Sequence, residues 1–195
     1  MARKSTAERQ QEIVHAVLVL IAELGIQGVT MGRIADKVGI TEAALYRHFD
    51  SKLGIIGATI DAAFDDLLDA LESSARGGTA REMLRNALIA HLEFIEKRPG
   101  VARILFSDEV HFNSPALQQK LARRGGNVVG HIAGLLRGGT STGELSEDLD
   151  VKSATLLYRG IVQAQVMLWA HAEKKEGLAK SADGVWALYE KAIGV

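Results

Sequence analysis

The side chains with chemistry to offer gather in one short stretch, Thr30 to Lys52, which reads TMGRIADKVGITEAALYRHFDSK. They are no catalytic set. Hydroxyls, a tyrosine, an arginine, a histidine and a lysine are the donors that hold phosphates and read base edges. Their spacing also supplies the elements that carry them. Met31, Ile34, Ala35 and Val38 recur at helical intervals, so a short helix over 31–38 buries one face. Gly39 permits the left-handed backbone of a helix end. Thr41 is a good N-cap for a second helix over 42–48, with Glu42 in the first turn where the dipole favours an anion. In that helix Leu45 and Phe49 point inward, leaving Glu42, Ala43, Tyr46, Arg47 and His48 outside. Two short helices around a tight turn have the dimensions to enter a major groove. DNA is the partner they fit.

Individual residues sharpen this. Lys52 falls in the first turn of the following helix, where the dipole disfavours a cation. A phosphate held by both the lysine and the free amides would account for it, the alternative being a solvated lysine. Thr30 caps the first helix of the pair, and its hydroxyl or the adjacent amide could also meet a phosphate. Arg47 could fork onto a guanine, worth about 1–3 kcal/mol of discrimination. Arg3, Lys4 and Arg9 form either a basic arm tracking the groove or a solvated tail.

The string T-x-x-x-I-A-x-x-V-G-I-T-x-A-A-L-Y-R-H-F-x-S-K resembles the DNA-binding segment of the TetR/AcrR family of bacterial transcriptional regulators, over roughly residues 8–54. The resemblance implies that Tyr46 and His48 hold the DNA backbone, and that Glu42, Ala43, Ala44 and Arg47 meet base edges or neighbouring phosphates. Gly32 falls where some members carry a base-reading arginine, which leaves Arg33 as the neighbouring cation. The resemblance further implies a homodimer on a near-palindromic double-stranded operator. It implies a repressor released by a small-molecule effector, whose identity the chain does not give. EAALYRHF and the later RPGVARIL are also similar to a nucleoid-occlusion branch of the family, which binds DNA and acts on cell division.

Composition excludes several other classes. With 23 basic and 24 acidic residues the chain cannot coat DNA by charge alone. The first 52 residues hold 7 Lys+Arg against 6 Asp+Glu, so affinity must come from placement of charges, doubled by dimerisation. No cysteine is present, which removes disulfides and thiolates. The amino terminus lacks an apolar run after its basic residues, unlike a secretory signal. The apolar stretch 154–172 contains Arg159, Gly160, Gln163, Gln165 and His171, a set a membrane span rarely tolerates. We therefore expect a cytoplasmic protein without membrane contact. There is no G-x-S-x-G elbow or H-E-x-x-H, and Gly138 to Glu144 lacks a Walker lysine, so no enzyme is expected. His91, His111 and His131 are too widely spaced for a helical metal site, and neither metal nor cofactor is expected.

Only two prolines occur and no run alternates with period two, so the expected fold is all-α with about nine helices. A helix-turn-helix domain at 1–50, with its motif at 30–49, would precede a helical effector-binding and dimerisation domain at 51–195. The first helix should run over 6–24, with Ile13, Val14, Val17, Leu18, Ile21 and Leu24 on one stripe and Gly25 past its end. The fourth should start near Ser51 and stop around 75–78, and the fifth should end before Pro99. Ser114 and Pro115 should open a helix to about Arg137, with a kink or a close contact at Gly125-Gly126. GGTSTGELSED should be a loop, with helices over about 150–175 and 181–193 beyond it.

The helix over 150–175 is apolar nearly all round. With Val185, Trp186, Leu188, Tyr189 and Ile193 it would form an apolar face covered by a second copy, through Leu157, Ile161, Gln165, Leu168, Trp186 and Tyr189. His91, Phe94, Phe106, His111, Phe112, Tyr158 and Trp169 could line an effector cavity. Asp61, Asp65, Asp69 and Glu72 share one face of the fourth helix. They read as a solvent-facing stripe, with attraction for a cationic ligand, or repulsion that keeps DNA off the body, as the alternative.

Overall fold

The first helix, α1 (Thr6–Gly28), opens on a reciprocal cap. Ser5 Oγ accepts from the Glu8 amide at 3.2 Å, and the Glu8 carboxylate accepts from the Ser5 amide at 2.7 Å. Regular helix ends where expected, at Gly25, whose φ of 72° breaks the run before a final turn to Gly28. Leu24 differs from expectation: it is 44% exposed, whereas Ile13, Val17 and Ile21 of the same stripe are fully buried. The computed structural model describes residues 5–172 and 177–194, and among these no strand occurs.

The helices that follow are α2 (Met31–Val38), α3 (Glu42–Tyr46), α4 (Lys52–Ser74), α5 (Ala80–Lys97), α6 (Pro99–Leu105), α7 (Pro115–Ser141), α8 (Val151–His171) and α9 (Ala182–Ile193). The segment SDEVHFNS contains a π-helical turn over Glu109–Asn113, and a 3-10 turn over Leu178–Ser181 precedes α9. Two compact units result, one of residues 1–64 and 98–124, the other of 65–97 and 125–195. Along the chain, α4 and α7 each contribute to both.

In the first unit α6 lies against α1, with Val101, Ala102 and Ile104 buried. Gly100 allows this approach. A Cβ there would stand 2.3 Å from the Leu18 carbonyl oxygen, a distance no real side chain tolerates. By length and composition α1 could cross a membrane, yet Ile13, Val17 and Ile21 are fully buried in this unit, as in a core helix. Asp61 on α4 is not solvent-facing as its stripe suggested. It is ion-paired with Lys120 and, at 2.7 Å, with Arg124, both on α7. Although burial opposes it, bonding to these two cations holds the Asp61 carboxyl below its ordinary pKa. The Lys120 stem lies over Gly57, where a Cβ would meet its Cε at 3.2 Å.

In the second unit α5, α8 and α9 pack together with the 3-10 turn. Thr79 and Glu82 cap α5 reciprocally, with the Thr79 amide donating to the carboxylate at 2.8 Å and Thr79 Oγ1 accepting from the Glu82 amide at 3.2 Å. Helix α7 runs past the expected end at Arg137, so the Gly138-Gly139 pair is helical. The left-handed residue that stops it is Gly143, at φ 73°. The amides of Glu144 and Leu145 then bond the Gly139 carbonyl at 2.9 and 3.0 Å, and the Leu145 side chain folds over Gly139. Among the described residues nothing stands within 4 Å of a Cβ built on Gly125 or Gly126, so of the expected kink or close contact the contact is not made there.

Candidate nucleic-acid interface

Local rules build the helix-turn-helix. Thr30 Oγ1 accepts from the Arg33 amide at 3.3 Å and so starts α2. Gly39 ends it in the left-handed region at φ 74°, and the Ile40 amide reaches back to the Ala35 carbonyl at 3.0 Å. Thr41 Oγ1 then accepts from the Ala44 amide at 3.1 Å to start α3. Ile34, Ala35 and Leu45 are buried, which fixes the two helices against each other and against α1. Assigned helix stops at Tyr46 rather than residue 48, although the His48 and Phe49 amides still bond the Leu45 carbonyl at 2.9 and 3.1 Å.

Of the expected contact residues, Thr30, Arg33, Thr41, Glu42, Ala43, Tyr46 and Arg47 are exposed, and Ala44 and Lys52 are half-buried. Tyr46 is 50% exposed. His48 is also half-buried. Its Nδ1 has no partner, while its carbonyl accepts from Gln10 Nε2 at 3.3 Å. Ser51 caps α4 by accepting from the Gly54 amide at 3.1 Å. Lys52 is thus the first residue of a 23-residue helix, at the end where partial positive charge concentrates.

Three details were not legible in the sequence. The space left by Gly32 is taken by Glu42, whose Oε1 would stand 2.9 Å from a Cβ on that glycine. Arg33 does not fill the gap, because its guanidinium donates to the Gly28 carbonyl at the end of α1. Arg9 is no free arm: it is ion-paired with Glu12 at 2.7 Å. Arg3 and Lys4 lie outside the described residues.

The expected self-association face divides in two. Leu157 and Leu168 are exposed, and Ile161 and Gln165 are half-buried. Trp186 and Tyr189 belong to the protomer's own core, and Tyr189 is 1% exposed. Its hydroxyl donates to the Ala154 carbonyl at 3.0 Å, and its ring meets Tyr158 edge-on at 6.0 Å. The large apolar residues that α8 and α9 do expose are Leu156, Leu157, Met167, Leu168 and Leu188.

The residues expected around an effector are also divided. His91, Phe94 and Tyr158 are buried in the second unit, where Trp169 is half-buried. His91 and Tyr158 rings lie 6.2 Å apart. Phe106 and His111 belong to the first unit, where His111 Nε2 lies 2.7 Å from the Leu105 carbonyl oxygen and Phe112 is open to solvent.

Burial pushes the His91 imidazole down to about 4 from an ordinary 6.5. The unfolded chain therefore binds the proton at a higher pH than the folded one. Stability from this group is complete above pH 6.5 and falls as pH drops towards 4, by up to about 3 kcal/mol. Urea midpoints measured from pH 7 to 4.5 should show that decline, and His91→Leu should flatten it.

Among the described residues, helices throughout, a capped helix-turn-helix, an exposed donor-bearing second helix and a lysine opening the next define the helix-turn-helix class of protein. Residues 13–59 match bacterial regulatory proteins of the tetR family, and residues 77–173 match the tetracyclin repressor-like C-terminal domain. The chain belongs to the TetR family. Nucleoid occlusion factor SlmA of Glaesserella parasuis serovar 5 is 35% identical over 124 residues, covering 63% of this chain and 62% of that protein. The chain thus matches less than two thirds of the length of such relatives. Among solved structures, the FadR regulator of Bacillus subtilis in complex with stearoyl-CoA superposes with a TM-score of 0.84 at 23% identity, covering 94% of this chain and 98% of that one. FadR of Bacillus halodurans gives 0.86 at 19%, covering 96% of each. At those identities the likeness is one of fold.

Proposed function

We propose that this chain is a sequence-specific double-stranded DNA-binding transcriptional regulator, a repressor that works as a homodimer and is released by a small-molecule effector. The observation that carries it is the exposure of Tyr46, the last residue of α3, and of Arg47, its C-cap, shortly before Lys52 opens α4. Residues 1–50, with Lys52 just beyond them, would meet DNA: Thr30 and Lys52 on phosphates, Tyr46 and His48 on the backbone, and Glu42, Ala43, Ala44 and Arg47 at base edges or neighbouring phosphates. Residues 51–195 would dimerise and take the effector. That the Bacillus subtilis FadR is in complex with stearoyl-CoA is consistent with a ligand-bound body in this fold.

Release requires that the effector prefer one arrangement of the body, since equal binding to both shifts nothing. The ion pairs from Asp61 to Lys120 and Arg124 tie the first part of α4 to that of α7. A tilt of α4 has to carry or break them.

Lys52→Ala and Arg47→Ala test the surface and separate its two roles. Lys52→Ala should weaken all DNA sequences alike and lower the salt slope by about one for each phosphate it no longer holds. Arg47→Ala should cost about tenfold or more on the operator and relax preference at one base position. Unchanged affinity and slope in both variants would remove the assignment.

A second reading has its own support. The 35% identity to SlmA favours a nucleoid-occlusion-type factor that acts on cell division rather than on transcription. Genome-wide occupancy separates the two: a repressor occupies few sites, beside regulated genes, whereas a division-linked factor occupies many across the chromosome.

A further inference from the structure

The core formed by α5, α8 and α9 contains two polar atoms that folding has left without partners. His91 Nδ1 and the Tyr158 hydroxyl are both buried, and neither makes a hydrogen bond. A missing partner at a buried donor or acceptor costs about 1–3 kcal/mol. Two such gaps in rings 6.2 Å apart are a concentrated cost. Leucine and phenylalanine at these positions would avoid it. The neighbouring Tyr189 shows that this core can satisfy a phenol, since its hydroxyl bonds the Ala154 carbonyl one helical turn before Tyr158. Tyr158, held edge-on to Tyr189, has no such acceptor.

We propose that His91 and Tyr158 receive the carbonyl oxygen of an uncharged, otherwise apolar ligand in the second unit. This rests on the effector reading above and names the chemistry of that effector. A phenol O–H is a donor in search of an acceptor, and a neutral imidazole can present N–H from the nitrogen now lacking a partner. A carbonyl oxygen has two lone pairs and no proton of its own, so it can accept from both. The same two helices bury apolar residues, Leu88, Leu92 and Phe94 on α5 and Val162 on α8, which suit a hydrocarbon body.

Charge argues against an anion. On α5 the cations are already engaged: Arg81 with Glu190 at 3.8 Å, Arg85 with Asp183 at 2.6 Å, and Lys97 with Glu93 at 3.0 Å. On α8, Lys152 and Arg159 are exposed. The imidazole itself is held neutral by burial. A carboxylate brought here would therefore lose its hydration without gaining a cation.

Calorimetry on the full chain with decan-2-one and decanoate at pH 7.5 tests the inference without DNA. The ketone should bind at least tenfold tighter than the carboxylate. Tyr158→Phe, which removes a buried unpaired hydroxyl and so should fold at least as well, should weaken the ketone about tenfold and leave decanoate unchanged. His91→Leu should do the same. Absence of ketone binding, decanoate binding as tight as the ketone, or a Tyr158→Phe variant with undiminished ketone affinity would each overturn the proposal. Ketone binding that both variants weaken as expected, but with no effect on operator occupancy, would uphold this site and instead remove the effector reading.

Discussion

Gly100→Ala is expected to lower the stability of the first unit by about 3 kcal/mol, seen as a fall in the urea midpoint with little change in slope. The added methyl would stand 2.3 Å from the Leu18 carbonyl oxygen and 3.2 Å from its carbon. Both are backbone atoms inside a regular helix, so no rotamer change can relieve the contact. Either α6 lifts from α1 and exposes part of Val101, Ala102 and Ile104, or α1 bends. Helices normally gain about 1 kcal/mol when glycine becomes alanine, so the sign here is decided by packing. Gly126→Ala supplies the control. It lies in α7, is exposed, and has open space where its Cβ would stand. That variant should be stabilised by about 1 kcal/mol. Equal effects in the two would mean that α6 does not approach α1 so closely.

The same contrast explains which features could be read from the amino-acid order. The helix-turn-helix depends on neighbours within four residues: Thr30 and Thr41 as caps, Gly39 as a left-handed stop, and apolar spacing over 31–38. Such rules act locally, so the sequence carries them openly. Asp61 depends on Lys120 and Arg124, 59 and 63 positions away, and no local pattern announces that pairing. The end of α7 misleads for another reason. Gly138-Gly139 looks like a terminator, but Leu145 needs a residue without a side chain to fold against, and Gly143 supplies the positive φ. On α9 the difficulty is excess. Trp186, Leu188 and Tyr189 are all apolar, and only their packing against α5 and α8 decides that Leu188 faces outward while the two aromatic residues face in. The orphan atoms of His91 and Tyr158 are invisible to sequence for a related reason, since any core histidine or tyrosine could have found a partner.

That partition of α8 and α9 leads to the largest effect expected on DNA binding. Leu168→Glu should give a monomer at micromolar concentration and lower operator affinity by a hundredfold or more. Leu168 is 69% exposed in the protomer, and Leu156, Leu157, Met167 and Leu188 are exposed with it. Five large apolar residues on two adjoining helices are an unusual cost for a free surface and a normal composition for a subunit contact. A carboxylate at the centre of that contact would be desolvated in both copies, which like-charge repulsion worsens. A monomer still carries one intact α3 and one Lys52, so it should keep weak binding to a half-site, and its salt slope should fall to about half the dimer's. Trp186→Phe separates association from folding. Trp186 is buried beside Tyr189 at a ring separation of 5.9 Å, so this change should reduce stability and leave the association state intact. Sedimentation of both variants, alongside operator titrations at two salt concentrations, would check the argument. A dimeric Leu168→Glu protein with full affinity would place the subunit contact elsewhere.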